Sequence, residues 1–185
     1  MNDSDSGTVR VGEYLSQGFR DVDQTEDLDA YVTCLALLDS LPHFIQYKAK
    51  SYELLELSAG ITVLDAGCGL GDDTVRMARF VRPGGRVVGI DSSARMIEKA
   101  RSQHSCSRLP VHFEKGDVRD LPFSDCSFGR CRIDRVLQHV TQPEKAVFEL
   151  CRVLEPGGIL LAYDNDWGTF SITSQNPAIT GVIEN

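Results

Sequence analysis

The densest chemistry in this 185-residue chain lies in one segment, Val63-Leu64-Asp65-Ala66-Gly67-Cys68-Gly69-Leu70-Gly71-Asp72. An apolar run ends in a carboxylate, three glycines alternate with other residues, and a helical pattern follows. Glycine turns sharply and has no Cβ, so such a loop can bring main-chain N–H groups against a ligand; an ordinary tight turn is the competing reading. A second carboxylate, Asp91, ends the run Val87-Val88-Gly89-Ile90 and stands 20 positions after Gly71. At that distance an acidic side chain on the neighbouring strand accepts hydrogen bonds from both hydroxyls of a ribose. Asp91 can equally cap a helix together with Ser92 and Ser93. The third carboxylate is in Gly116-Asp117-Val118, where Asp117 would meet the exocyclic amine of an adenine and Val118 would offer its N–H; alone, Asp117 also fits a simple turn. Three aspartates after three successive strands would bracket an amino-acid moiety, a ribose and a purine.

The spacing bears on the ligand. Dinucleotide sites favour G-x-G-x-x-G with a pyrophosphate over the following helix, whereas this loop reads G-x-G-x-G, and Asp72 and Asp73 put two negative charges where a phosphate would sit. A ligand without phosphates fits better, which counts against a nicotinamide-dependent oxidoreductase, as does the lack of a Tyr-x-x-x-Lys pair.

The elements that must position these residues follow from periodicity. Between Asp27 and Leu57 the apolar spacing predicts two amphipathic helices parted at Leu41-Pro42, a helical lead-in. Strands are predicted over 61–65, 86–91, 111–115, 127–133 and 158–164, and helices over 72–81, 93–102 and 142–154. Thr141-Gln142-Pro143-Glu144 has the form of a capping box with a first-turn proline. Arg82-Pro83-Gly84-Gly85 and Glu155-Pro156-Gly157-Gly158 read as helix stops before strands. Strands alternating with helices imply an α/β fold, a mostly parallel sheet with helices on both faces in three layers.

Composition sets the frame. With 42% hydrophobic and 25% charged residues, the chain resembles average globular proteins, and its length suits a single domain. The organisation expected is a partly disordered segment over 1–26 and one domain over 27–185, made of a helical lid (27–58), a ligand-binding core (61–164) and an incomplete C-terminal part (165–185). Nineteen Lys and Arg against 27 Asp and Glu give a net charge of −8, a field that repels phosphate backbones, so no nucleic-acid partner is expected. No run approaches the ~20 apolar residues of a membrane span and no signal peptide is recognisable, so the expected location is cytoplasmic. Six dispersed cysteines without a Cys-x-x-Cys pair indicate free thiols and neither a zinc site nor a disulfide framework.

From Ile61 to Asp164 the motifs VLDAGCGLG, VVGID, GDVRDLPF and the pair RVLQHV with LEPGGILLAYD occur in order, and here the sequence resembles the class I S-adenosylmethionine-dependent methyltransferases of the small-molecule type that act on quinones, sterols and natural products. The resemblance implies a Rossmann-like sheet and S-adenosyl-L-methionine as cofactor. By position it assigns Asp65, Gly67, Cys68 and Gly69 to the methionine end, Asp91 to the ribose, Asp117 and Val118 to the adenine, and Ser92 and Met96 to packing on the nucleoside. Ile133, Asp134 and Gln138 would line the methyl-donor pocket. Arg135 would pair with a carboxylate or form a surface salt bridge.

Transfer from a sulfonium asks mainly for alignment and exclusion of water, so no catalytic residue is assigned. His139 is placed as a substrate neighbour and as a base where the acceptor must lose a proton, with packing as its competing role. Trp167 is placed beside the acceptor, and Tyr14, Tyr31, Phe44 and Tyr47 form either an aromatic lid or core. Two departures from the family pattern stand out. The fourth strand is unusually basic, with Arg130 and Arg132 around Cys131, and the chain ends before the helix and antiparallel strands that close the family fold. It thus reads as truncated, with a non-catalytic binding module as the competing function and an open sheet edge that favours a homo-oligomer. The acceptor is a small molecule that the sequence does not name.

Overall fold

The computed structural model describes residues 19–165. Each face of its sheet is built by alternation. In β1 (Thr62–Ala66) and β2 (Arg86–Asp91), Leu64, Ala66, Val88 and Ile90 enter one core cluster, while Val63 and Val87 enter another on the opposite side. Both clusters exclude water almost completely, so the middle of each strand is apolar on both faces, as in parallel strands covered on both sides. With β3 (Val111–Lys115), β4 (Phe128–Asp134) and β5 (Leu154–Tyr163) they form a five-stranded sheet in the order β3-β2-β1-β4-β5. Every neighbouring pair is parallel. The strand order reverses direction beside β1, and ligands enter α/β sheets at such a switch point, outside the carboxyl ends of the strands.

Helices α1 (Leu28–Ser40) and α2 (Pro42–Leu54) form the lead-in. They part where the sequence predicts: Pro42 forces Leu41 into extended backbone (ψ 135°), ending α1 and leaving proline in the first turn of α2. α3 (Asp72–Ala78) and α4 (Ala94–Gln103) lie on the Val63–Val87 side, the latter capped by Ser93, whose Oγ accepts from the Met96 N–H at 3.1 Å. α5 (Pro143–Val153) covers the other face through Ala146, Leu150 and Val153.

Three expectations need correction. The capping box at Thr141 does not form: Gln142 precedes the helix in left-handed backbone without a side-chain cap bond, and the Thr141 hydroxyl accepts from Arg119 Nη1 at 2.7 Å. The last strand begins at Leu154, four residues before the predicted start. Leu154 pairs with Phe128, the Pro156-Gly157 segment bulges, and pairing resumes at Ile159 opposite Arg130. The helix predicted over 72–81 ends at Ala78. The basic fourth strand does form, because Arg132 pairs with Asp65 inside the sheet and Arg130 donates from Nε to the Leu55 carbonyl at the end of α2. Residues 1–18 and 166–185, with Tyr14 and Trp167, lie outside the described residues. Among the described residues no single helix is long and apolar enough to cross a membrane.

Candidate functional site

A cavity of about 790 Å³ opens over the carboxyl ends of the strands, within the range of small-ligand sites. Twelve of the residues singled out from the sequence line it: Asp65, Gly67, Cys68, Gly69, Asp91, Ser92, Met96, Asp117, Val118, Asp134, Gln138 and His139. Ile133 does not. Its side chain is 1% exposed and sits in the cluster beneath α5, because it alternates with Arg132 and Asp134 along β4; Val136, three residues on, reaches the cavity instead.

The glycine loop works differently from the expectation that it offers N–H groups to a ligand. Four of its amides are already used: Gly67 and Cys68 donate to the Ile90 carbonyl (2.7 and 3.0 Å), Gly69 to Asp91 Oδ2 (2.9 Å) and Gly71 to the Cys68 carbonyl (2.9 Å). These bonds pin the loop to β2 with glycine backbone facing the cavity. Gly67 adopts φ +75°, and a Cβ there would lie 2.2 Å from Val136 Cγ2, so both conformation and space require glycine.

Asp91 is held by main-chain amides alone, Oδ2 by Gly69 and Oδ1 by Ser93 at 2.9 Å. It therefore supports the start of α4 and lines the cavity at once, with lone pairs left over for a ligand. Burial pushes its carboxyl above the ordinary value, and the amides of Ser93 and Gly69 offset part of that rise. Met96 is buried among Val22, Leu28, Tyr31 and Leu70. Asp117 is partly exposed and chelated by its neighbour: Arg119 donates from its backbone N–H, Nε and Nη2 (2.8, 3.0 and 2.6 Å), and this pairing holds the carboxyl low. Both its turn role and its place at the cavity are thus realised.

At the other end of the cavity the aspartates meet cations. Asp65 accepts from Thr74 Oγ1 at 2.7 Å and from Arg132 Nη1 at 3.1 Å. Arg132 stands directly opposite it in the β1–β4 ladder and is 3% exposed. The same guanidinium reaches Asp73 at 3.2 Å and also Asp134. Lys48 of α2 bridges Asp39 (2.6 Å) and Asp73 (2.8 Å), and Arg76 joins the same two carboxylates. Tyr52 donates to Asp73, and Tyr47 to Asp134 at 3.1 Å. Burial pushes Asp73 up, but Arg132 and Lys48 outweigh it, and the carboxyl ends below the usual range; for Asp65 burial wins over Arg132, and its carboxyl is raised. This buried network ties α1 and α2 to the sheet, and sequence reasoning missed it. The available signal was an arginine inside an apolar strand, which demands carboxylate partners.

The roof was also missed. Phe19, Arg20, Asp21 and Val22 line the cavity together with Leu35 and Leu38 of α1. A one-turn helix, Val22–Gln24, is latched to α4 by Asp23, which accepts from the Ser93 hydroxyl and from the N–H groups of Ala94 (3.0 Å) and Arg95 (3.2 Å). Of the expected aromatic lid, Phe44 lines the cavity. Tyr31 is buried against Phe19, and Tyr47 stacks on Tyr163 with centroids 4.4 Å apart. Gln138 donates from Nε2 to the Arg135 carbonyl at 3.2 Å. His139 is half-buried; burial, then Arg20 and Arg135, lowers its pKa, which favours the neutral imidazole.

Residues 57–180 match the family described as methyltransferase domain. The chain is 42% identical over 144 residues to an uncharacterized 37.1 kDa protein in a transposon of Streptomyces fradiae, an alignment covering 77% of this chain and 40% of that one. It is 32% identical over 145 residues to a demethylmenaquinone methyltransferase of Staphylococcus aureus, covering 77% and 60%. Among solved structures it is similar to a SAM dependent methyltransferase from Aquifex aeolicus (TM-score 0.55, 26% identity, 59% of this chain and 58% of that one). It is also similar to the (4+2) cyclase SpnF (TM-score 0.59, 30% identity, 64% and 44%). The chain thus spans 40% to 60% of the length of these curated relatives.

Proposed function

From the membership of this chain in the methyltransferase-domain family, we propose that it binds S-adenosyl-L-methionine over the glycine loop and transfers its methyl group to a small, largely apolar acceptor. The observation that carries the reading is Asp91, an aspartate at the tip of β2 bound by main-chain amides and no cation, and still open to the cavity. A phosphate-free nucleoside suits it, since its hydroxyls are donors and the Asp91 carboxylate would repel added negative charge. The cavity volume and the glycine surface of the loop support the same fit.

In this reading Asp91 accepts from the ribose hydroxyls, Ser92 and Met96 pack on the nucleoside, and Asp117 and Val118 meet the adenine edge. Gly67, Cys68 and Gly69 supply a floor without side-chain bulk at glycine. Asp65 and Asp134 belong to the methionine end, where their role is indirect: with Arg132 they hold the wall in shape. The cofactor, when bound, supplies a sulfonium-activated methyl group for in-line displacement. The chain's own task is to align the acceptor and exclude water. Phe19, Leu35, Leu38 and Phe44 supply apolar lining for the cavity, and Gln138 holds the turn that carries His139. Where the acceptor's nucleophilic atom bears a proton, neutral His139 is the group on hand to take it.

The test is incubation of the chain with methyl-labelled S-adenosylmethionine and a panel of lipophilic phenols and quinols. Label appearing in extracted product supports transfer. The cyclase neighbour favours a second reading, a cavity of this family used for chemistry other than methyl transfer. Tight cofactor binding with no labelled product from any acceptor would favour it.

A further inference from the structure

Arg135 follows β4 in left-handed backbone, φ +56°, a conformation that persists in a non-glycine residue only where its surroundings impose it. Its N–H donates to the Tyr163 carbonyl at 2.7 Å and its carbonyl accepts from Gln138. The guanidinium lines the cavity and is fixed over the Phe44 ring, 4.9 Å from the centroid. Its Nε is buried and makes no hydrogen bond. That nitrogen is ion-paired with Asp134 Oδ1 at 3.5 Å, a carboxylate shared with Arg132 and Tyr47. A buried guanidinium N–H held by a long ion pair and no hydrogen bond has bonding capacity left over. Arg20, bonded through Nη2 to the Gln138 carbonyl at 3.4 Å, lines the same cavity, and both arginines act on His139. Two arginines thus approach His139 in a cavity whose lining also includes Leu38, Phe44 and Val140.

We propose that this end of the cavity is a subsite for an anionic oxygen carried on a flat, apolar molecule. Arg135, with Arg20 opposite, takes the oxygen of a carboxylate or phenolate, and the rings of that molecule lie against Phe44 and Leu38. As the acceptor's binding site this rests on the methyl-transfer reading; as an anion subsite it stands by itself. Two fixed cations select for a ligand's charge because an uncharged analogue forgoes the charge-assisted hydrogen bond to them.

The experiment is calorimetric titration of the full chain with 2-naphthoate and its uncharged methyl ester, with and without S-adenosylhomocysteine. A second pair, 2-naphthol and 2-methoxynaphthalene, separates a phenol-type from a carboxylate-type ligand. The expected result is a preference of at least about tenfold for the ionisable member of one pair. Arg135→Gln abolishes it, Arg135→Lys retains part of it, and S-adenosylhomocysteine affinity is unchanged in both. Arg20→Gln, at an exposed position, weakens the preference without disturbing the fold. No preference in the wild type, whether both members bind or neither does, overturns the subsite. So does a preference that survives both glutamine variants, and so does loss of S-adenosylhomocysteine affinity in Arg135→Gln, which gives the guanidinium to the cofactor. Wild-type chain that shows the preference but ignores S-adenosylhomocysteine counts against the methyl-transfer reading and leaves the subsite standing.

Discussion

At neighbouring strand tips the chain puts the same side chain in opposite conditions. Asp91, ending β2, is held by two main-chain amides, whereas Asp65 and Asp134 on β1 and β4 are held by the guanidinium of Arg132. Amides leave a carboxylate with its charge and spare lone pairs; a guanidinium cancels the charge and commits the geometry. One end of the cavity is therefore built to receive donors, and the other to keep its shape. An aspartate at a strand tip is not a ligand contact until its partners are known.

The sharpest way to break this contrast is Arg132→Leu. It strands Asp65, Asp73 and Asp134 without their shared cation, and removing one partner of a buried ion pair costs about 3–5 kcal/mol. Since domains are stable by about 5–15 kcal/mol, the urea midpoint should fall steeply or folding fail. A loss within about 1 kcal/mol, the value of surface pairs, would mean that the network is ornamental. Gly67→Ala tests the loop between the two ends. Left-handed backbone costs an alanine about 1–2 kcal/mol and overpacking about 1–3 kcal/mol. Adding Val136→Ala should restore the packing part alone in urea unfolding.

How far these features could be read from the sequence follows the same division. The loop, Asp91 and Ser93 are near neighbours along the chain or one strand apart, and turn chemistry, spacing and alternation disclose them; the Leu41-Pro42 break was legible for the same reason. Arg132 and Asp65 are 67 positions apart, and only the ladder makes them partners, so a strand that looked too basic was in fact compensated. α2 buries Lys48 and Ser51 where an apolar stripe was sought, because its inner face meets ions. Thr141 had the residue types of a cap, but Arg119 claims its hydroxyl, and no local pattern contains that competition. Ile133 was misassigned because a motif match carries no strand phase.

Acidification should separate Asp91 from Asp39 and Asp73, although buried Asp65 at the network end is raised as well. Asp91, with its raised carboxyl, takes up a proton above the ordinary aspartate value of about 3.9, and a protonated Asp91 loses acceptor capacity. Asp39 and Asp73 are held low, the former chiefly by Arg76. Their native pKa lies below the unfolded one, so the stability they contribute is complete above about 3.9 and is lost as pH falls through the depressed values. As pH falls, S-adenosylhomocysteine affinity should therefore decline before near-ultraviolet circular dichroism reports unfolding. Coincident losses would erase the distinction between the ends. The smallest expected effect is that of Asp23→Ala, which removes an acceptor from the first turn of α4 and should lower stability by about 1 kcal/mol in thermal unfolding.

Asp91 as the acceptor of a nucleoside's hydroxyls is tested directly by calorimetric titration with S-adenosylhomocysteine. Wild-type chain should bind with measurable heat, and Asp91→Ala should weaken binding about 100-fold, about 2.8 kcal/mol, while remaining folded. Heat of the same size and affinity from both proteins, or none from the wild type, would contradict it.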